Sequence, residues 1–533
     1  MKLTIEGIKE KEKWEAAKIE LPSYNPEEIA KNTKENPQWV HFGVGNIFRI
    51  FIGGIADQLI AKGNLKSGIT CVETFDFDIV DKIYKPYDNL VLGVTLNADG
   101  RTDKKVLGSL GEALTTNGED LKRLREIATR KDLQMFSFTI TEKGYALKDS
   151  NENYFPWIVQ DLETGPSHSI SAMAVVTSLL LERFLAGREG LSVVSMDNCS
   201  HNGAILKHAI LTIAEEWQKR GFVEPQFLDY LQDEARIAFP WTMIDKITPR
   251  PAESVAKELE QLHVEGMQPV ITAKNTYIAP FVNAEGPQYL VIEDKFPNGR
   301  PEFEKAGVYM TDQDTVNKVE RMKVTTCLNP LHTALAVYGC ILGYDLISKE
   351  MQDKDLKKLI LKIGQGEGME VVTNPGIISP EAFAKEVIEV RFPNPFMPDA
   401  PGRIATDTSQ KVGIRFGETI KAYVNKYGDA KKLVGIPLAI AGWCRYLLGV
   451  DDNLLEFKRS PDPLLDELTT MLKEINPEDP QSYKGQLKPL LSKEKIFGID
   501  LYKAGIGALV EEMFKEQLSG KGAVRACLQK YLD

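Results

Sequence analysis

Residues 39–59 constrain the fold more than any other stretch. Trp39-Val40-His41-Phe42 reads as a short apolar strand, runs into Gly43-Val44-Gly45-Asn46-Ile47-Phe48-Arg49, and is followed by a helix over Ile50 to Leu59. Strand, G-x-G turn and helix in immediate succession form the dinucleotide-binding arrangement. The glycines permit a tight turn and let a pyrophosphate approach the helix N-terminus, where unpaired backbone N–H groups favour an anion. Gly43, Gly45, Asn46, Ile47 and Phe48 are the expected phosphate-loop residues. The third glycine of the usual pattern is absent, and Phe48 stands in its place.

An acid at the end of the second strand supports the same reading. In such folds this carboxylate binds the ribose hydroxyls, and its charge repels a 2′-phosphate. Glu73 closes the run Ile69-Thr70-Cys71-Val72, Asp76 and Asp78 follow, and no basic residue comes before Lys82. NAD(H) is therefore expected rather than NADP(H). Further strands are expected at Leu90–Thr95, Met135–Thr141 and Ser192–Ser195, with amphipathic helices between them, such as Asp120–Lys131 and Ala172–Gly187. The alternation predicts an α/β unit with a parallel, helix-flanked sheet. Residues 1–38 read as a polar lead-in, 204–238 as helical, 270–309 as short strands, and the chain from 311 onward as mainly helical. The expected division is a Rossmann-like domain over 1–310 and a helical substrate domain over 311–533.

Chemistry concentrates in Lys323 to His332, KVTTCLNPLH. A lysine can exchange a proton with a carbonyl or alcohol, an asparagine amide can donate to a developing alkoxide, and an imidazole can orient a hydroxyl. Asn329 and His332, three apart, share a helix face. A solvated helix start would carry the same residues, so the segment needs company elsewhere in the chain.

That company exists. Gly43–Arg49, Thr139–Tyr145 (TITEKGY), Ser195–Gly203 (SMDNCSHNG), Met243–Pro249 (MIDKITP) and Arg391–Lys411 (RFPNPFMPDAPGRIATDTSQK) follow one another in order with KVTTCLNPLH. Together they resemble the polyol-specific long-chain dehydrogenases, the family of mannitol 2-dehydrogenase and the fructuronate and tagaturonate reductases. The resemblance implies Lys323 as general acid/base, with Asn329 and Asn198 polarising the carbonyl and His332 binding a neighbouring hydroxyl. It also implies Asp245, Arg403 and Lys411 as substrate contacts and Thr141 as a cofactor contact. Arg49 is a further cation for a carboxylated substrate. The implied reaction is metal-independent reduction of a keto-sugar by NADH in the cleft between domains. Fructuronate to mannonate is favoured; tagaturonate, mannitol/fructose and a non-catalytic sugar sensor stand as alternatives, and a methyltransferase-like nucleotide fold stands outside the class. Two departures mark this chain. The family's H-R-A-H reads Phe48-Arg49-Ile50-Phe51 here, and its K-x4-N is K-x5-N. An extra helical residue turns Lys323 by about 100° unless a π turn absorbs it.

Composition narrows the class of partner. The chain has 533 residues, too many for one core, with 65 Lys+Arg against 76 Asp+Glu and a formal charge of −11. That balance argues against nucleic acid. The charged N-terminus, the lack of a membrane-length apolar run and six cysteines without a C-x-x-C pair lead to the expectation of a cytoplasmic protein. No membrane partner is expected, and a monomer or small homo-oligomer is. The six histidines form no H-E-x-x-H cluster, so no metal site is expected.

Overall fold

Six parallel strands organise the first part of the chain in the computed structural model, which describes residues 1–187 and 190–533. They are β1 (Trp39–Phe42), β2 (Ile69–Glu73), β3 (Leu110–Thr115), β4 (Met135–Phe138), β5 (Leu191–Ser195) and β6 (Ile237–Ala238). Their order is β3-β2-β1-β4-β5-β6, every pairing parallel. This is the dinucleotide-binding topology, with the strand order reversing beside β1. Strands β1, β2, β4 and β5 are buried along their whole length, as a sheet covered on both faces requires.

Contacts divide the chain into two units, Met1–Asn97 with Arg101–Asn317, and Ala98–Gly100 with Lys318–Asp533. In the first, helices Ala172–Leu185 and Asn202–Lys219 pack over Phe136, Phe138 and Val193, while Gly53–Ala61 packs with Trp39 and Ile69. The polar lead-in is more structured than its composition suggests: Trp14 and Leu3 are buried, and helix Pro26–Glu35 lies against β3.

Two expectations are corrected here. Val91–Leu96 leaves the parallel sheet and forms an antiparallel hairpin with Thr102–Leu107, in a separate mixed sheet with Ile19–Glu20 and Phe281–Glu285. The stretch 204–238 is not helical throughout, since Ile237–Ala238 returns to the main sheet as β6. The second unit is built from helices, with Tyr338, Ala439, Trp443 and Val510 in its interior. Among the described residues, no helix is long and apolar enough to cross a membrane.

Candidate active site

Gly43 leaves β1 at φ +95°, and a Cβ there would lie 2.2 Å from the Thr139 carbonyl oxygen. Only glycine fits, because the loops following β1 and β4 touch at this point. Gly45 differs: a Cβ there would meet nothing within 4 Å. The protein itself does not need a glycine at 45, but a pyrophosphate approaching the backbone would. The helix closes its first turn with Arg49 N donating to Gly45 O at 3.1 Å. It then passes through a π turn over Phe48–Ile52 before Gly53–Ala61.

Gly43, Val44 and Gly45 border a cavity of about 710 Å³, as do Glu73, Thr139 and Thr141. Glu73 Oε1 accepts from the amides of Thr74, Phe75 and Asp76 at 3.0, 2.8 and 3.1 Å. Burial raises its pKa, and these amides oppose the rise. Asp76 Oδ2 is taken by the hydroxyls of Thr272 and Thr276, and Asp78 Oδ2 by Lys82 and the Ala273 amide. Glu73 and Asp76 border the cavity and Asp78 does not, which keeps Glu73 as the candidate to read a ribose. The glycine pair, the opening at Gly45 and the acid at the end of β2 together fit an adenine dinucleotide.

Two sequence expectations change in this loop. The Phe48 side chain is fully buried and stacks on His41, with ring centroids 4.1 Å apart. At the third-glycine position a ring fills the space between helix and strand. The Phe48 side chain is turned into the core, and Asn46, Ile47 and Phe48 present first-turn backbone amides at the start of the helix. Arg49 is buried, and its guanidinium donates to Ala279 O at 2.8 Å, Asn46 Oδ1 at 2.9 Å and Phe281 O at 3.4 Å. Burial lowers its pKa to about 10. Arg49 joins the glycine loop to the neighbouring sheet and is closed off from a substrate carboxylate.

The glycine pair makes a prediction. Gly43→Ala adds both a clash and left-handed strain of about 1–2 kcal/mol, so its melting temperature should fall clearly. Gly45→Val should melt close to the wild type yet bind dinucleotide much more weakly. Thermal unfolding and NADH titration of both variants check this. Equal losses of stability would remove the ligand argument for Gly45.

The TITEKGY and SMDN segments form one structure. Thr141 has φ +64°, costly for a β-branched residue. The Asp197 carboxylate holds the turn by accepting from Ile140 N at 2.8 Å and Thr141 N at 3.0 Å, and it also accepts from Tyr145 Oη at 2.6 Å. Asn202 bonds Ser195 O, Asp197 O and Thr242 Oγ1 through its amide nitrogen, fixing the loop in which Asn198 stands exposed. Asp245 ends the strand Thr242–Asp245 and is buried, not an exposed loop acid. Asp197, Asn202 and Tyr145 were not singled out from sequence. Their signal was present, since they lie within the two motifs that were.

In the second unit, Lys323 to Cys327 form a π turn, closed by Leu328 N donating to Lys323 O at 3.1 Å. The extra residue of K-x5-N is taken up here, where sequence allowed such a bulge. Lys323 is buried at 5% exposure. Asn329 opens helix Asn329–Leu342 with Pro330 behind it. His332, one turn on, places Nε2 2.6 Å from Asp399 Oδ2. A carboxylate partner requires Nε2 to carry the proton, so Nδ1 of the neutral ring is an acceptor. Asp399 also accepts from Arg403 at 2.5 Å. Burial pushes the Asp399 pKa up, but the hydrogen bonds from His332 and Arg403 and the guanidinium charge outweigh it and hold the carboxyl below its usual range. Sequence reasoning missed Asp399, because nothing local relates it to a histidine 67 residues away.

Arg403 and Lys411 do not share one helix. They lie in Pro401–Ile404 and Thr408–Val412, separated by Asp407 at φ +55°. Lys411 donates to Thr406 O at 2.5 Å, and its pKa is lowered by burial and then by the charge of Arg415. Arg415 donates to Thr333 Oγ1 at 2.6 Å, beside His332. The charges of Arg415 and Arg403 act on Lys411, opposed by those of Asp407 and Asp462.

The profile of the Mannitol dehydrogenase Rossmann domain matches residues 37–305, and that of the Mannitol dehydrogenase C-terminal domain matches residues 315–518. The D-mannonate oxidoreductase of Thermotoga maritima is 50% identical over 535 residues, covering 99% of each chain. The D-mannonate oxidoreductase of Escherichia coli is 29% identical over 502 residues, covering 92% of this chain and 94% of its own. The Pseudomonas fluorescens mannitol 2-dehydrogenase, solved as a ternary complex with NAD and D-mannitol, superposes with a TM-score of 0.70 at 26% identity, covering 100% of this chain and 99% of the other. A substrate-free D-sorbitol dehydrogenase shares the fold, with a TM-score of 0.78 at 23% identity and coverage of 96% and 98%. With both family domains matched in order and a relative half identical along its whole length, the chain belongs to the mannitol dehydrogenase family.

Proposed function

We propose that this protein is an NAD(H)-dependent oxidoreductase acting on CH–OH groups, and that its reaction is reversible reduction of the keto-hexuronate D-fructuronate to D-mannonate. The observation that carries the reading is full-length similarity, at 50% identity, to a D-mannonate oxidoreductase. The glycine loop, the opening at Gly45 and the Glu73 carboxylate support the cofactor. When bound, NADH supplies the hydride.

The residues of the chain do the rest. The Asn329 amide donates to the carbonyl oxygen and stabilises the charge that develops there. Lys323 gives its proton to that oxygen in reduction and takes it back in oxidation. His332 Nδ1 accepts from a hydroxyl next to the reacting carbon, with the ring held by Asp399. Arg403 and Lys411 bind the far end of the substrate. Arg415 stands near Lys411 as a further cation for a substrate carboxylate, beside the acids Asp407 and Asp462 that also act on Lys411. Asn198 and Asp245, in the first unit, are kept as substrate-contact candidates on the SMDNCSHNG and MIDKITP motifs.

The test is a substrate panel of D-fructuronate, D-tagaturonate, D-fructose and fructose 6-phosphate with NADH and NADPH. The reading expects kcat/KM to be highest for fructuronate with NADH. A preference for fructose would make the enzyme a mannitol dehydrogenase. Nucleotide binding without turnover of any of them would make it a sensor.

A further inference from the structure

The adenine of a dinucleotide hangs from the ribose that Glu73 is proposed to hold, so the base must contact the residues just after Glu73. What stands there is unusual. The three amide bonds onto Glu73 Oε1 fold Thr74, Phe75 and Asp76 into a tight turn that turns the Phe75 ring outward. Phe75 is 66% exposed, a high value for a phenylalanine, and borders the cavity. Its ring already has one polar neighbour: the Lys274 ammonium lies 5.0 Å from the ring centroid.

The turn is also braced from outside. Val270–Ile271 and Tyr277–Ile278 pair as a small antiparallel hairpin with Lys274 at its tip. The Thr272 and Thr276 hydroxyls donate to Asp76 Oδ2 at 2.6 and 2.5 Å, and Ala273 N donates to Asp78 Oδ2 at 3.0 Å. Asp76 is 4% exposed. Two buried-to-surface anchors therefore fix a loop whose one exposed large side chain has no packing role of its own. A solvent-exposed aromatic held this rigidly, beside a ribose-reading acid, has the properties of a stacking platform.

We propose that Phe75 is the adenine-stacking platform of the nucleotide site, and that the 270–278 hairpin is its brace, with Lys274 on one ring face and the base on the other. This rests on the nucleotide reading of the cavity. It assigns the adenosine end to the Phe75 side and leaves the exposed Trp157, which stacks on Phe155 at 4.7 Å across the same cavity, without a role in base binding.

The experiment is titration of the full chain with NADH, ADP-ribose and reduced nicotinamide mononucleotide, by nucleotide fluorescence and calorimetry. Phe75→Ala should weaken NADH and ADP-ribose by the same factor, about 5- to 150-fold for loss of a base–aromatic stack. The mononucleotide, which lacks adenine, should bind as to the wild type. Phe75→Trp should restore affinity, and Trp157→Ala should leave ADP-ribose affinity unchanged. Unaltered ADP-ribose binding by Phe75→Ala, an equal loss for the mononucleotide, or a loss in Trp157→Ala alone would overturn the assignment while leaving the cofactor reading in place. A wild-type chain that binds neither NADH nor ADP-ribose would overturn both.

Discussion

Lys323→Ala is expected to cut turnover by roughly 10²–10⁴-fold, the usual contribution of a positioned general acid or base. Three features set this expectation. Lys323 is buried, it begins the π turn that takes up the extra residue before Asn329, and the imidazole of the motif, His332, is engaged through Nε2 with Asp399. The NADH dissociation constant should barely change, since the glycine loop and Glu73 belong to the first unit. The pH profile of alcohol oxidation should lose its basic limb, and an external amine should restore part of the rate. Near-wild-type turnover would remove Lys323 from the mechanism. Deleting Val324 offers a complementary check. The shortened segment should lose its π turn and return to the family's K-x4-N spacing, with activity retained if the bulge merely compensates for the extra residue.

Asp399→Asn should lower kcat/KM for the sugar by about 10- to 150-fold, the equivalent of one charge-assisted hydrogen bond of about 1.5–3 kcal/mol. The cause is positional. Without a carboxylate, nothing obliges His332 to protonate Nε2, and Nδ1 ceases to be a dependable acceptor. His332→Ala should produce a loss of similar size, and the double variant should lose little more, because both substitutions break one device. A double variant showing the product of the two single losses would mean that Asp399 acts independently of His332. Acid unfolding provides a second readout. Asp399 titrates lower in the folded chain than in the unfolded one, so its stabilisation is present above the ordinary carboxylate range and is lost as pH falls through the folded value. Asp399→Asn should flatten that part of the curve.

What sequence revealed and what it hid follow from the range of the interactions involved. The β1–glycine–helix unit and Glu73 at the end of β2 are local arrangements, and each could be read from a dozen residues. The π turn at Lys323 was anticipated by counting one residue too many in a known spacing. Features built from distant partners were not readable. β3 carries Gly111 and Glu112, poor strand residues taken alone. A Cβ at Gly111 would lie 2.1 Å from Thr33 Oγ1, and Glu112 pairs with Arg123, so the strand is specified by two helices packed on it, Pro26–Glu35 and Gly118–Ala128. The strand Val91–Leu96 looks like another member of the main sheet, but it pairs antiparallel with Thr102–Leu107 and parallel with Phe281–Glu285, nearly two hundred residues later. Arg403 and Lys411 have the spacing of one helix face, but Asp407 adopts a left-handed conformation and divides them. At the site itself, sequence named groups suited to touch substrate. Asp399 and Asp197 lie inside the quoted motifs, but their work, holding other residues in place, depends on partners that the motifs do not show.

Isotope transfer decides whether this chain reduces fructuronate by hydride from NADH. NADH deuterated on its transferable position is incubated with D-fructuronate and the wild-type chain, and the product is analysed by mass spectrometry and NMR. The account predicts D-mannonate carrying one deuterium on the carbon that held the ketone, formed one for one with NAD⁺, and at least a hundredfold more slowly by Lys323→Ala. Product without deuterium at that carbon, or no product from fructuronate while another keto-sugar is labelled, would contradict it.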